Sequence, residues 1–441
     1  MLAAIFIISG SIFMLRGPVR ALRASDLNDL ISPYTQAAAW VHGADPYSPQ
    51  SLFAFWPNGA LSTRPAAQEF TDGSILIDHG IPTAYPVTCF VLLGPFTVVP
   101  WHVIKFISTA SAVGLFFVSV WALISIARLQ AWRRNMFIAG SLLLAPYHTG
   151  IAVSNLAVVT TELGILAFWA NQRGKNVSSG LLLALIVGLK PQVGLCFLLY
   201  FLARRKWQPA IISVAGIIAI ASVAIMRLNM AHVEWLANYE LDNRALFTSG
   251  VLGDFTGRNP LRFGLVNLQV ALYHFLHGRE ATNIAALLLG TALLAVCLLL
   301  ILRMQMKDEL LCLSALAVLS PLPVYHRFYD AAVLIIPLSW LIVRLSAAAT
   351  IRVGVGLTTV ATFFLPGGTL LQTLQDKGVL SSALKTNDWW NSLIMAHAAW
   401  CLLILALILL YEISHSAKVE TAHVKTEEMR ALVPITSASS R

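Results

Sequence analysis

The sequence is short of charge. Asp, Glu, Lys and Arg make up 12% of its 441 residues, against about 25% in a soluble globular domain. What charge there is falls in clusters, and residues 106–127, 136–161, 208–226, 281–302, 353–375 and 389–411 carry none. A helix needs about 20 mostly apolar residues to cross the hydrocarbon core of a bilayer. So many uncharged runs exclude a soluble protein, and the chain reads as an all-α polytopic membrane protein. Cysteine is scarce too. Cys89, Cys196, Cys297, Cys312 and Cys401 are scattered through apolar segments with no Cys-x-x-Cys pair, which argues against a zinc site or a disulfide framework. Gly174-Lys175 lacks the following Ser/Thr and the earlier Gly of a phosphate-cradling loop, which argues against ATP-driven transport by this chain alone. Internal repeats are also lacking.

What is present is an excess of positive charge, +9 in all. In a soluble protein that would point to nucleic acid. Here the basic residues sit between apolar segments, at Arg128, Arg133 and Arg134, at Arg173 and Lys175, and at Arg204, Arg205 and Lys206. The positive-inside rule reads these as cytoplasmic loops, and no nucleic-acid partner is expected. Twelve crossings are expected, at 2–15, 103–127, 136–152, 155–170, 178–189, 191–203, 208–226, 283–302, 310–324, 330–344, 353–366 and 393–412. They form one transmembrane domain, residues 1–412, with both termini inside. The first outer loop is 16–85 and the second is 227–282, while 413–441 is a polar tail expected to be disordered. Loop 367–392 and the turns near Lys190 and His326 also fall outside. Segment 86–100 is apolar but short, bounded by Pro86 and Pro100, and is expected to be re-entrant or interfacial. Residues 2–15 lack a positive n-region and a cleavage site, so they are read as a span, although Arg16, Arg20 and Arg23 beyond it break the charge rule.

Several polar residues exceed what a membrane span needs. Asp26-Leu-Asn-Asp29 precedes an amphipathic stretch with Tyr34, which closes on Gly43-Ala-Asp45-Pro46-Tyr47. Asp29 fits an N-cap, or equally a carboxylate that takes a proton from a hydroxyl. Lys190-Pro191 interrupts an apolar stretch, so Lys190 either snorkels or faces an anionic group such as a lipid phosphate. Ser320-Pro-Leu-Pro-Val-Tyr-His326-Arg327-Phe-Tyr329-Asp330 is denser in polar groups than interfacial anchoring requires. Asn155 and Glu162 lie in or beside a short span, where a buried acid needs a partner.

Taken together, these motifs resemble glycosyltransferase family 87, integral-membrane enzymes of the GT-C superfamily. Asp29, Tyr34, Gly43, Asp45, Pro46 and Tyr47 match its first-loop motif in spacing. Tyr85-Pro86 with Pro95 and Pro100 is similar to its Tyr-Pro-Pro segment, with Val87 replacing the second Pro. Gly180, Gly188-Leu-Lys190-Pro191, Tyr200 and Arg204-Arg-Lys-Trp207 resemble its Gly-rich helix, Lys-Pro break and basic loop. Ser320-Pro321 with His326 resembles a Ser-Pro…His-His motif, with Arg327 as the second His, and Asn155 fits the Asn of a Gly-Gln-x-Asn element whose Gly-Gln is lost.

The resemblance implies a GT-C-type bundle of about 12 transmembrane helices with a large extracytoplasmic first loop. It implies a cell (inner) membrane enzyme moving a hexose, mannose first, from a polyprenyl-phosphate sugar to a lipid or glycan acceptor hydroxyl on the outer face. Asp29 is the expected base of an inverting displacement, and His326 the expected second catalytic group, orienting phosphate or sugar. Lys190, Arg327, Tyr34, Asn155 and Asp330 are expected to bind substrate. No cofactor is expected, although Asp26-x-x-Asp29 leaves an opening for a divalent metal. The alternative is a secondary transporter or lipid flippase, whose broken helices would suit Lys190-Pro191.

Overall fold

In the computed structural model, residues 2–23, 29–57, 85–247, 250, 252–304, 308–345 and 351–432 are described. Asp26 and loop residues 58–84 lie outside them. Among the described residues the fold is helical, and the one pairing of extended chain is an isolated antiparallel bridge between Leu265 and Arg327. Among the described residues five helices are long and apolar enough to cross a membrane: Ala3–Arg23, Trp101–Ala127, Trp207–Met230, Arg279–Arg303 and His397–His415. A sixth candidate is the pair Ile351–Phe364 and Gly367–Asp376, bent by 49°.

The sequence reading expects twelve crossings, and the rest of them are shorter helices. Residues 136–152 divide at Leu144 into Ala131–Leu143 and Ala145–Ala152, the second carrying Pro146 in its first turn. Residues 177–203 divide at Lys190 into Asn176–Leu189 and Pro191–Ala203. Lys190 has φ −149° and ψ 87°, the extended backbone that the ring of a following proline favours. Segment 86–100 forms Val87–Leu93 and a 3₁₀ turn, Gly94–Phe96. At 1.5 Å per residue that helix covers only about 10 Å.

Two boundaries move. Arg16 does not end the first span, because Leu2–Arg16 is followed after Gly17 by Pro18–Arg23. Arg16, Arg20 and Arg23 stay exposed on its surface, so the loop expected after the first span begins beyond them. The last helix runs His397–Leu432, making residues 413–432 helical where a disordered tail was expected. Glu, Lys, Ala and Met are common there, and all are good helix formers.

Four short helices form the centre and place the polar residues at opposite ends. Leu156–Gln172, Asn176–Leu189, Pro191–Ala203 and Glu309–Leu319 supply much of the large buried core. At one end, Glu309 accepts a hydrogen bond from Gln172 and pairs with Lys206 at 3.0 Å and Arg204 at 3.6 Å. At the other end lie Asn155, Lys190 and the loop 320–330.

The hairpin at Lys190 is closed by Gly194. A Cβ there would sit 2.8 Å from the Val187 nitrogen and 2.9 Å from the Ile186 carbonyl carbon, so only glycine lets the two helices meet backbone to backbone. Gly194→Ala should therefore force the hairpin open and lower stability by about 1–3 kcal/mol, the usual cost of overpacking. Gly114→Ala, whose Cβ would meet nothing within 4 Å, should be neutral or gain up to about 1 kcal/mol from helix propensity. Thermal unfolding of the two variants in the same detergent checks the contrast.

Candidate active site

The first outer segment enters beside the break that precedes Leu156–Gln172. The Asp29 backbone N–H donates to the Val153 carbonyl at 2.6 Å, and helix Ile31–Val41 follows. Leu30, not Asp29, holds the N-cap position. The Asp29 carboxylate turns instead to Asn155, whose Nδ2 donates to its Oδ2 at 2.7 Å.

Asn155 is the junction of the site. Its Oδ1 caps Leu156–Gln172 by accepting from the Ala157 N–H at 2.9 Å, and it also accepts from Lys190 Nζ at 2.9 Å. Lys190 Nζ reaches on to Asp330 Oδ1 at 2.6 Å, with both side chains at least nine-tenths buried. It also lies 5.0 Å from the Tyr329 ring centroid, a cation–π distance. The second Asp330 oxygen accepts from the Arg327 backbone N–H at 2.8 Å, which caps the 3₁₀ helix Phe328–Leu334. Asp29, Asn155, Lys190, Asp330 and Arg327 thus form one continuous polar chain drawn from four parts of the sequence.

The charges divide in a way the sequence does not show. Lys190 is neutralised by Asp330, so its ammonium is engaged within the protein. Burial acts against the Arg327 cation, but Tyr325, Tyr329 and Asp29 around it more than offset that and raise its pKa. Burial pushes the Tyr325 phenol up to about 12, with Asp330 and Asp29 adding to it against Arg327. Tyr85 and Tyr329 are raised well above the usual phenol value, by burial and then by the negative charge of Asp29. Three phenols kept protonated therefore lie within reach of the Asp29 charge, as does the Arg327 cation. Among the described residues Asp29 Oδ1 accepts no hydrogen bond, which leaves it open to take a proton. The sequence reading places Tyr85 in a family-like motif and Tyr325 and Tyr329 in a dense polar segment, without naming any of the three as a site residue.

Two expected residues do other work. Tyr34 is buried, and its hydroxyl donates to the Thr97 carbonyl at 3.2 Å and the Val99 carbonyl at 3.0 Å. It pins the 94–100 turn and has no hydroxyl hydrogen left for a substrate. His326 is buried with Nδ1 3.2 Å from the Val324 carbonyl and Nε2 3.3 Å from the Gln192 carbonyl. Burial lowers its pKa, more than Asp330 raises it. A neutral imidazole carries a single N–H, so it donates to one of these carbonyls at a time while the ring braces the Pro191 turn. Glu162 lies outside the chain, wholly buried with neither oxygen hydrogen-bonded among the described residues.

Asp45 supports the site from further out. It accepts the Tyr47 N–H at 2.9 Å and Asn238 Nδ2 at 2.6 Å, while the Tyr47 hydroxyl donates to the Tyr85 carbonyl at 2.8 Å. Gly43, at φ +74°, makes the turn before it. Asp242, on the helix Trp235–Leu246, is raised to about 8 by burial and then by Asp45. A carboxyl raised in the folded state contributes stability below its unfolded value near 4 and loses it as pH climbs towards about 8. Asp242→Asn should match wild type in thermal midpoint near pH 4 and exceed it increasingly up to pH 8. Equal midpoints across that range would contradict the assignment.

The ion pair makes a second prediction. Removing one member of a buried pair typically costs about 3–5 kcal/mol, because the other is left uncompensated. Lys190→Met should therefore destabilise the protein strongly, and Lys190→Met with Asp330→Asn should recover most of that loss. Denaturation of both variants measures the coupling.

No curated protein and no solved structure matches the chain. The sequence model of glycosyltransferase family 87 matches residues 83–322, more than half of the chain. That segment contains Asn155 and Lys190, and the fold adds Asp29, Arg327 and Asp330 to them from outside it. The chain is a membrane protein belonging to glycosyltransferase family 87.

Proposed function

We propose that the enzyme transfers a hexose, mannose first, from a polyprenyl-phosphate sugar to a lipid or glycan acceptor hydroxyl on the extracytoplasmic face. The observation that carries this reading is the polar chain itself: a carboxylate oriented through one oxygen, open at the other, beside a half-buried arginine. Its position supports the orientation. The end carrying Arg173, Lys175, Arg204 and Lys206 belongs in the cytoplasm by the positive-inside rule, and the chain from Asp29 to Arg327 lies at the opposite end of the same helices. A site gathered at one end, rather than at mid-depth with access from both sides, favours an enzyme over a transporter.

In the proposed displacement Asp29 Oδ1 takes the proton of the acceptor hydroxyl as that oxygen attacks the anomeric carbon. The bond to the lipid phosphate breaks, the phosphate leaves as an anion, and the anomeric configuration inverts. Arg327 is the cation for the leaving phosphate, and a planar guanidinium matches two phosphate oxygens at once. Lys190, already paired with Asp330, acts through Asn155 to position Asp29. The protonated tyrosines are donors to the sugar or the phosphate.

Asp29→Asn tests the base. The amide retains an oxygen for Asn155 but cannot take a proton, so transfer should fall at least about a hundredfold, the lower range for lost general-base catalysis, with thermal stability little changed. Membranes carrying wild type or variant would be incubated with radiolabelled polyprenyl-phosphate mannose, glucose and arabinose in parallel. Near-normal transfer by the variant would remove Asp29 from the chemistry, and transfer only from another donor would replace mannose.

A further inference from the structure

The basic end of the bundle holds a second polar feature that the transfer reaction does not use. Pro191–Ala203 ends there, and Arg204 and Arg205 lie on the turn that leads to Trp207–Met230. Beside them the helix Arg279–Met304 reaches its own end. Between the two is an open cleft of about 280 Å³ lined by Ala203, Arg204, Arg205, Ile301 and Leu302.

Arg204 is under-used by the protein. Its side chain is only 14% exposed, and its Nη2 lies 3.6 Å from Glu309 Oε1, an ion-pair distance but too long for a hydrogen bond. Its Nε is buried with no hydrogen-bond partner among the described residues. Glu309 is meanwhile engaged by Gln172 and by Lys206. A guanidinium offers five N–H donors, and leaving them unmet in a half-buried site is costly. Arg205 is exposed and has no acidic partner among the described residues. Arg204, Arg205 and Lys206 against the single charge of Glu309 leave the corner positive. The facing wall is apolar, and Leu299 and Leu302 extend it along the exposed surface of Arg279–Met304.

We infer that this cleft seats a phosphate oxyanion, supplied by an anionic lipid headgroup in the leaflet at the basic end. The oxygens would take the donors that Glu309 leaves free, in the fork geometry arginine offers to phosphate. The acyl chains would lie along Leu302 and Leu299. Basic pockets between transmembrane helices are a recurring seat for anionic headgroups, whereas arginines that serve only to orient a loop need no cleft and no apolar wall. The site is separated from Lys190 by the length of Pro191–Ala203, about 20 Å at 1.5 Å per residue, so it is independent of the donor phosphate.

Native mass spectrometry of the detergent-solubilised full chain, titrated with phosphatidylglycerol, phosphatidylcholine or inorganic phosphate, tests this. Wild type should retain phosphatidylglycerol in preference to phosphatidylcholine. Arg204→Gln should weaken that retention about tenfold, the loss of roughly one charge-assisted hydrogen bond. Arg204→Lys keeps the charge beside Glu309 but loses the fork, and should fold normally while still losing affinity several-fold. Arg205→Gln should weaken binding as well, and Arg134→Gln, in the first turn of the helix Ala131–Leu143, should not. Equal retention of the two lipids by wild type, or unchanged retention in Arg204→Lys and Arg205→Gln, would overturn the inference. Binding of inorganic phosphate as tight as that of the lipid would keep the oxyanion site and overturn the lipid as its source.

Discussion

The pairing of Lys190 with Asp330 is the constraint on which the candidate active site depends. Each charge alone would cost several kcal/mol to bury, so both must meet, and their remaining hydrogen-bonding capacity must be filled. Asn155 and the Arg327 backbone N–H fill it. Three distant features are thereby forced together: the proline break at 190–191, the start of Leu156–Gln172, and the loop after Glu309–Leu319. Asp29 is brought in through the same asparagine. A single buried pair thus sets the relative placement of groups from four parts of the chain.

The short helices fit this design. A helix of 13 or 14 residues, such as Pro191–Ala203 or Asn176–Leu189, falls well below the length needed for a full crossing. Irregular backbone at membrane depth is tolerated only where protein or a water-filled space surrounds it. Here the core cluster surrounds those helices, while the longer helices Trp101–Ala127, Trp207–Met230 and Arg279–Arg303 leave most of their apolar surface exposed. Breaking the inner helices short is what places Asn155 and Lys190 among side chains rather than lipid.

Much of this was legible in the sequence, for reasons that differ by residue. The all-helical membrane class followed from long uncharged runs, a property of composition that tertiary packing does not alter. Lys190, Asn155, Asp330 and Arg327 stood out because polar residues in apolar surroundings need partners. Their partnership was not legible, because it joins positions 140 and 126 residues apart. The number of crossings is harder to read, because apolar content is the same in a full span and in a short buried helix. The turn-pinning contacts of Tyr34 were not legible, because a tyrosine that pins a turn and one that touches a ligand look alike in sequence. Tyr85, Tyr325 and Tyr329 lay within motifs the sequence singled out but were not set apart as site residues, since aromatic residues are expected at an interface.

The double duty of Asn155 has a directional consequence. Its Oδ1 already accepts from a helix N–H and from an ammonium, so the amide cannot rotate by half a turn without losing both. Its NH₂ therefore faces Asp29 Oδ2 as a fixed donor. The cap that starts the helix thus also sets the polarity of the hydrogen bond that holds the carboxylate.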